Sequence, residues 1–75
     1  MQHTFKTKES FQKYLQTRYK RDDTLDCVKV AGIVYTMTSY DEAGRSLEFH
    51  SKNDDYMQIE TSDRYKKGFI DAIVI

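Results

Sequence analysis

Seventy-five residues in which twelve Lys and Arg balance twelve Asp and Glu make a single domain, residues 1–75. Such a chain lacks the global field that draws a protein to nucleic acid or an anionic membrane. One cysteine, Cys27, excludes a disulfide scaffold and fits a reducing compartment. No 18-residue apolar run is available to span a membrane, and Met1 to Phe5 lack the apolar stretch of a secretory signal, so a cytoplasmic protein is expected.

Leu, Ile, Val and Phe make up 16 of the 75 residues, just above the roughly 20% level below which disorder is expected. Six Tyr and four Phe supply large buried areas from few residues. The chain reads as folded but thinly cored, and small domains of that kind gain stability by oligomerising.

In chain order, His3 to Lys6 reads as a short extended segment that sets Phe5 against the core. Thr7 is a candidate N-cap, with Glu9 in the first turn of a helix that runs from Lys8 to about Lys20. Phe11, Tyr14, Leu15 and Tyr19 fall at i, i+3, i+4 and i+8, one apolar stripe. Arg18, Lys20 and Arg21 then crowd a C-terminal turn, where cations suit the helix dipole.

The remainder has the period of strands. Val28 and Val30 alternate with Cys27 and Lys29, and Gly32 marks a bend within one long strand. Beyond it Ile33, Tyr35 and Met37 share one face, and Val34, Thr36, Thr38 and Tyr40 the other. Residues 41–45 and 53–55 read as turns. Leu47 and Phe49 alternate with Glu48 and His50, and Met57 and Ile59 with Tyr56, Gln58 and Glu60. Ser62 to Lys67 reads as a charged connection. A last strand covers residues 69–75, with Ile70, Ala72 and Val74 on a core face. Ile73 and Ile75 on its other face are expected to mediate self-association, making a homo-oligomer through the C-terminal strand.

The fold class is therefore α+β: an N-terminal α-helix followed by a four- or five-stranded antiparallel meander. A helix leading into a strongly bent meander resembles SH3-like or Sm-like small barrels in layout. An open sheet with the helix across one face is the other arrangement.

The chemical inventory is sparse. No CxxC or HxxxH spacing suggests a metal site, and three isolated glycines make no phosphate loop, so neither metal nor cofactor is expected. Cys27 and His50 would form a nucleophile pair if the sheet brought them together. The more economical reading is a small hydrophobe and a surface histidine, and no enzyme is expected. Asp22-Asp23, Asp41-Glu42 and Asp54-Asp55 fit turns, where Asp suits the backbone geometry.

One constellation recurs. Arg18-Tyr19-Lys20-Arg21 and Arg64-Tyr65-Lys66-Lys67 each set a tyrosine among three cations. Arg and Lys hold phosphate oxygens and Tyr stacks on bases, so these residues are candidates for binding a nucleotide, a cyclic nucleotide or single-stranded nucleic acid.

Two functions follow. The first is a non-catalytic binding protein that inhibits or regulates by occupying a surface on a larger protein partner. Tyr35, Tyr40, Tyr56 and Tyr65 are its contact candidates, because tyrosine offers large area at low entropic cost. In size and in lacking catalytic motifs the chain looks like the small inhibitor proteins carried by phages and other mobile elements, a resemblance of type that names no target. The alternative is an oligomer that sequesters a nucleotide or nucleic acid through the two clusters.

Overall fold

A five-stranded mixed sheet organises the chain, with two helices packed on one of its faces. The computed structural model describes residues 3–18, 20–41 and 45–74. The elements run β1 (His3–Phe5), α1 (Lys8–Gln16), a 3-10 turn (Asp23–Asp26), β2 (Cys27–Val30), β3 (Ile33–Tyr40), β4 (Ser46–His50), β5 (Tyr56–Glu60) and α2 (Asp63–Val74). Strand order in the sheet follows chain order. β1 lies parallel to β2, and the other neighbours are antiparallel.

The expected helix forms, but β1 precedes it, and it is shorter than its apolar stripe suggests. Thr7 caps it in a reciprocal box: the Ser10 N–H donates to Thr7 Oγ1 at 3.1 Å, and the Thr7 N–H to Ser10 Oγ at 3.3 Å. Phe11 and Leu15 are buried. The helix stops at Gln16, where the Thr17 hydroxyl turns back to donate to the Tyr14 carbonyl at 2.8 Å. Arg18 and Arg21 therefore lie beyond the helix and not in its last turn. Because α1 joins β1 to β2 as a crossover, β1 enters the sheet parallel, and the sheet is mixed, not an antiparallel meander.

Gly32 does not bend one long strand. Ala31 and Gly32 both take positive φ, 52° and 81°, and Val30 pairs with Ile33. The two residues are the whole loop of a tight hairpin, whose twist requires positive φ at both positions. The expected strand is therefore β2 and β3. Residues 51–55 form a hairpin loop between β4 and β5, with Asp54 at φ 64°.

The expected C-terminal strand is a helix. Ser62 starts it, its Oγ accepting from the Tyr65 N–H at 3.3 Å and its carbonyl from the Lys66 N–H at 2.9 Å. Tyr65, Gly68 and Phe69 are buried at i, i+3 and i+4, while Asp63, Arg64, Lys67 and Asp71 are exposed. That helical period runs straight through the segment read as a charged connection. A helix satisfies its own backbone, so over residues 69–74 the expected strand is overturned, and with it self-association through a C-terminal strand and Ile70, Ala72 and Val74 as a strand's core face. The side chains of residues 72–74, Ile73 among them, and all of Ile75 lie outside the described residues.

The sheet is open, with β1 and β5 at its edges, and not a closed barrel; the helices take the place that closure would have filled. Between helices and sheet sit Phe11, Leu15, Leu25, Val28, Val30, Leu47, Phe49, Ile59, Tyr65 and Phe69, each at most 3% exposed. Phe11 bridges the layers, 4.9 Å from Phe5 and 5.4 Å from Phe49 between ring centroids.

Candidate binding face

Burial of one face leaves the alternate residues of every strand on the other. The register aligns Cys27, Thr36, His50 and Tyr56 in a row across β2 to β5. Beside that row stand Val34 and Glu48. A bulge at Thr38, between the Met37–Phe49 and Ser39–Glu48 pairs, leaves its side chain on the same face as His50.

Short hydrogen bonds fix these side chains. Thr38 Oγ1 and His50 Nδ1 share one at 2.7 Å. The Tyr56 hydroxyl donates to Glu48 Oε1 at 2.9 Å, and Gln58 Nε2 donates to Ser46 Oγ at 2.7 Å. The Glu48 carboxylate, as acceptor, favours the protonated phenol and raises the Tyr56 pKa above its ordinary value. The His50 and Tyr56 rings lie 5.2 Å apart. Between Val34, Thr36 and His50 on one side and the 51–55 loop on the other is an open cleft of about 620 Å³. The loop is braced by its own hydrogen bonds: Ser51 Oγ donates to Asp55 Oδ2 at 2.9 Å and accepts from the N–H groups of Asn53 and Asp55, each at 3.1 Å.

Of the two Arg-Tyr-Lys clusters, separate in sequence, Arg18 and Arg21 of the first lie near Tyr65 of the second, while Lys66 and Lys67 line a separate hollow with Asp63, Ile70 and Asp71. The Arg21 guanidinium lies 5.2 Å over the Phe69 ring, beside Tyr65 in the same helix. The arginines are already engaged. Arg18 donates to the Tyr14 hydroxyl at 2.6 Å and pairs with Asp22 at 3.3 Å. Arg21 pairs with Asp26 at 2.9 Å and Asp23 at 3.4 Å. Tyr65 is buried, and desolvation pushes its phenol up to about 12. Lys20, Arg64 and Lys67 are exposed and Lys66 is half-buried; Tyr19 lies outside the described residues.

Of the four tyrosines expected as contacts, Tyr35 and Tyr65 belong to the core, while Tyr40 and Tyr56 are about half exposed. Cys27 and His50 share an outer row but have Thr36 between them. Two strand spacings, about 10 Å, keep them from forming a nucleophile pair. The paired carboxylates serve turns. Asp22 Oδ1 accepts from the Thr24 N–H and hydroxyl at 3.0 and 2.6 Å, bonds that hold its pKa below the ordinary value. Asp41 Oδ1 accepts from the Arg45 N–H at 2.6 Å; Glu42 lies outside the described residues. The outer row itself was readable as alternation in β4 and β5, but its cohesion depends on cross-strand register, which a linear pattern does not contain.

Among the described residues no helix is long and apolar enough to cross a membrane. No family model, no curated protein and no solved structure shows a significant match to the chain.

Proposed function

We propose that this chain is a small non-catalytic binding protein that occupies a surface on a larger protein, as an inhibitor or regulator, through the outer face of its sheet. The observation that carries this reading is a set of exposed side chains held in place before any partner arrives. Val34 and Tyr56 stand 46% and 52% exposed beside His50, and the Thr38–His50 and Tyr56–Glu48 bonds fix the polar groups around them. Side chains already ordered lose less entropy on association. An aromatic with a polar tip is a favoured contact residue. Lys29 and Lys52 on this side are offset by Glu48, Asp55 and Glu60, a mixed surface better suited to a protein than to a polyanion.

The ion pairs of Arg18 and Arg21 and the burial of Tyr65 weigh against the nucleotide-sequestering alternative, since those groups would have to leave existing partners. Retention of cellular protein by immobilised chain tests the two readings. Val34→Glu combined with Tyr56→Ala is expected to abolish capture of a partner at fixed stoichiometry, while Arg64→Ala with Lys66→Ala leaves capture intact. Bound nucleotide that is lost only in the second variant would reverse the assignment.

A further inference from the structure

We propose that the chain forms a two-fold dimer by antiparallel pairing of β5 with β5 of a second copy, in the register that sets Gln58 opposite the partner's Gln58. The sheet ends at β1 and β5. β1 has three residues, and a very short edge strand offers little to pair with. β5 has five, contains no proline and pairs with β4 in an unbroken register. Proline and bulges are two of the devices that blunt an edge, and β5 has neither.

The direction of its backbone groups follows from the bonds at its two ends. The Ser51 N–H donates to the Asp55 carbonyl at 3.0 Å, and the Thr61 N–H to the Arg45 carbonyl at 2.8 Å. Positions 55 and 61 thus face β4. Because backbone groups alternate along a strand, 57 and 59 face β4 as well, and Tyr56, Gln58 and Glu60 direct their N–H and C=O groups outward. A strand whose outward groups fall on three alternate residues is complementary to its own two-fold copy. Centred on Gln58, the pairing opposes Gln58 to the partner's Gln58, Tyr56 to the partner's Glu60 and Glu60 to the partner's Tyr56. Each opposed pair exchanges two bonds, so three pairs satisfy every outward group. A register centred on Met57 or Ile59 retains only two of the three pairs.

The side chains agree with this register. Tyr56, Gln58 and Glu60 share the outer face, so an amide meets an amide and a phenol ring meets a carboxylate. The two Glu60 side chains are kept at opposite ends, avoiding the repulsion of like charges placed directly opposite. The dimer would carry a continuous ten-stranded sheet with its two outer faces side by side, which gives a partner two linked sites. The proposal is independent of what the outer face binds. A monomer that still captures a partner defeats the dimer and leaves the binding reading standing.

The test is sedimentation equilibrium on the full chain from micromolar to millimolar concentration, beside a synthetic copy N-methylated at the Gln58 amide. That methyl group points away from β4 and leaves the intramolecular ladder intact. The native chain is expected to follow a monomer–dimer equilibrium. The methylated chain, with unchanged circular dichroism, is expected to dissociate at least about tenfold more readily, having lost both central bonds. A second variant, Gln58→Cys in a Cys27→Ser background, should oxidise to a covalent dimer, because opposed residues of a bonded pair stand about 5.5 Å apart between Cα atoms, within disulfide reach. A native chain that stays monomeric overturns the proposal, as does a methylated chain that dimerises as the native one does. If the methylated chain fails to fold, failure of the Cys variant to cross-link overturns it.

Discussion

Tyr40 and Phe69 meet edge to face, with ring centroids 5.0 Å apart and planes at 72°, although Tyr40 shares the even parity that points Val34, Thr36 and Thr38 away from the helices. The bulge at Thr38 is the cause. By adding one residue between the Met37–Phe49 and Tyr40–Leu47 pairs, it returns Tyr40 to the helix side, where its ring closes over the end of the core.

A double-mutant cycle on this pair reads the coupling directly. Phe69 is fully buried, and Phe69→Ala should cost about 3–5 kcal/mol in urea denaturation. Tyr40→Ala should cost less, and the coupling between the two should be about 0.5–1.5 kcal/mol, the range for aromatic pairs beyond their area burial. Independent effects would mean that the bulge does not hold Tyr40 against α2.

The β2–β3 hairpin contains a correctable fault. Ala31 sits at φ 52° and is exposed, and left-handed backbone costs a residue with a Cβ about 1–2 kcal/mol. Ala31→Asn creates the Asn-Gly pair that such turns favour and should stabilise the protein by about 0.5–1 kcal/mol. Gly32→Ala should act oppositely. A Cβ there meets nothing within 4 Å, so its loss, about 1 kcal/mol, would be purely one of backbone conformation. Urea midpoints for the two variants should lie on opposite sides of the parent's, and a shared direction would contradict the turn geometry.

Asp22 joins charge to a cap. Its carboxylate accepts from Thr24 and pairs with Arg18, and Asp22→Ala should cost about 1 kcal/mol at neutral pH. The pKa is lowered from 3.8, chiefly by the Thr24 bonds. A group of that kind contributes in full above its unfolded value and loses the contribution as pH falls through the folded one. The stability gap between parent and Asp22→Ala should therefore hold constant above pH 3.8 and narrow below it. A gap that persists into strong acid would assign the effect to packing instead.

How much of this was legible in the chain depends on the element. The stripe of Phe11, Tyr14 and Leu15 and the alternation in β4 and β5 are local patterns, and they place core and outer face correctly. The C-terminal helix was hidden because Phe69, Ile70, Ala72, Ile73 and Val74 satisfy either period. Its phase is set by Tyr65, which stands inside a run of charge that reads as a loop. The bulge at Thr38 has no glycine to announce it. The approach of Arg21 to Phe69 and Tyr65 is a product of tertiary packing, and the Asp22, Asp23 and Asp26 carboxylates that pair with Arg18 and Arg21 lie in the segment that folds back on them.

Tyr65 makes the protein sensitive to alkali in a defined window. Its side chain is 2% exposed, and burial raises the phenol from 10 to about 12 because the phenolate would lose its hydration. The folded state therefore holds the proton while the unfolded chain releases it, and the unfolded chain gains from that release. The contribution is complete below pH 10 and is lost as pH climbs from there to about 12. Tyr65→Phe keeps the ring against Phe69 and removes the ionisation. It should leave stability near neutrality little changed and flatten the decline across that window. Tyr56→Phe serves as the control: its phenol is raised through the Glu48 bond while exposed on the outer face, so removing it should alter the tyrosinate difference titration with little effect on the unfolding midpoint. An alkaline decline that survives Tyr65→Phe and disappears with Tyr56→Phe would reverse the two roles.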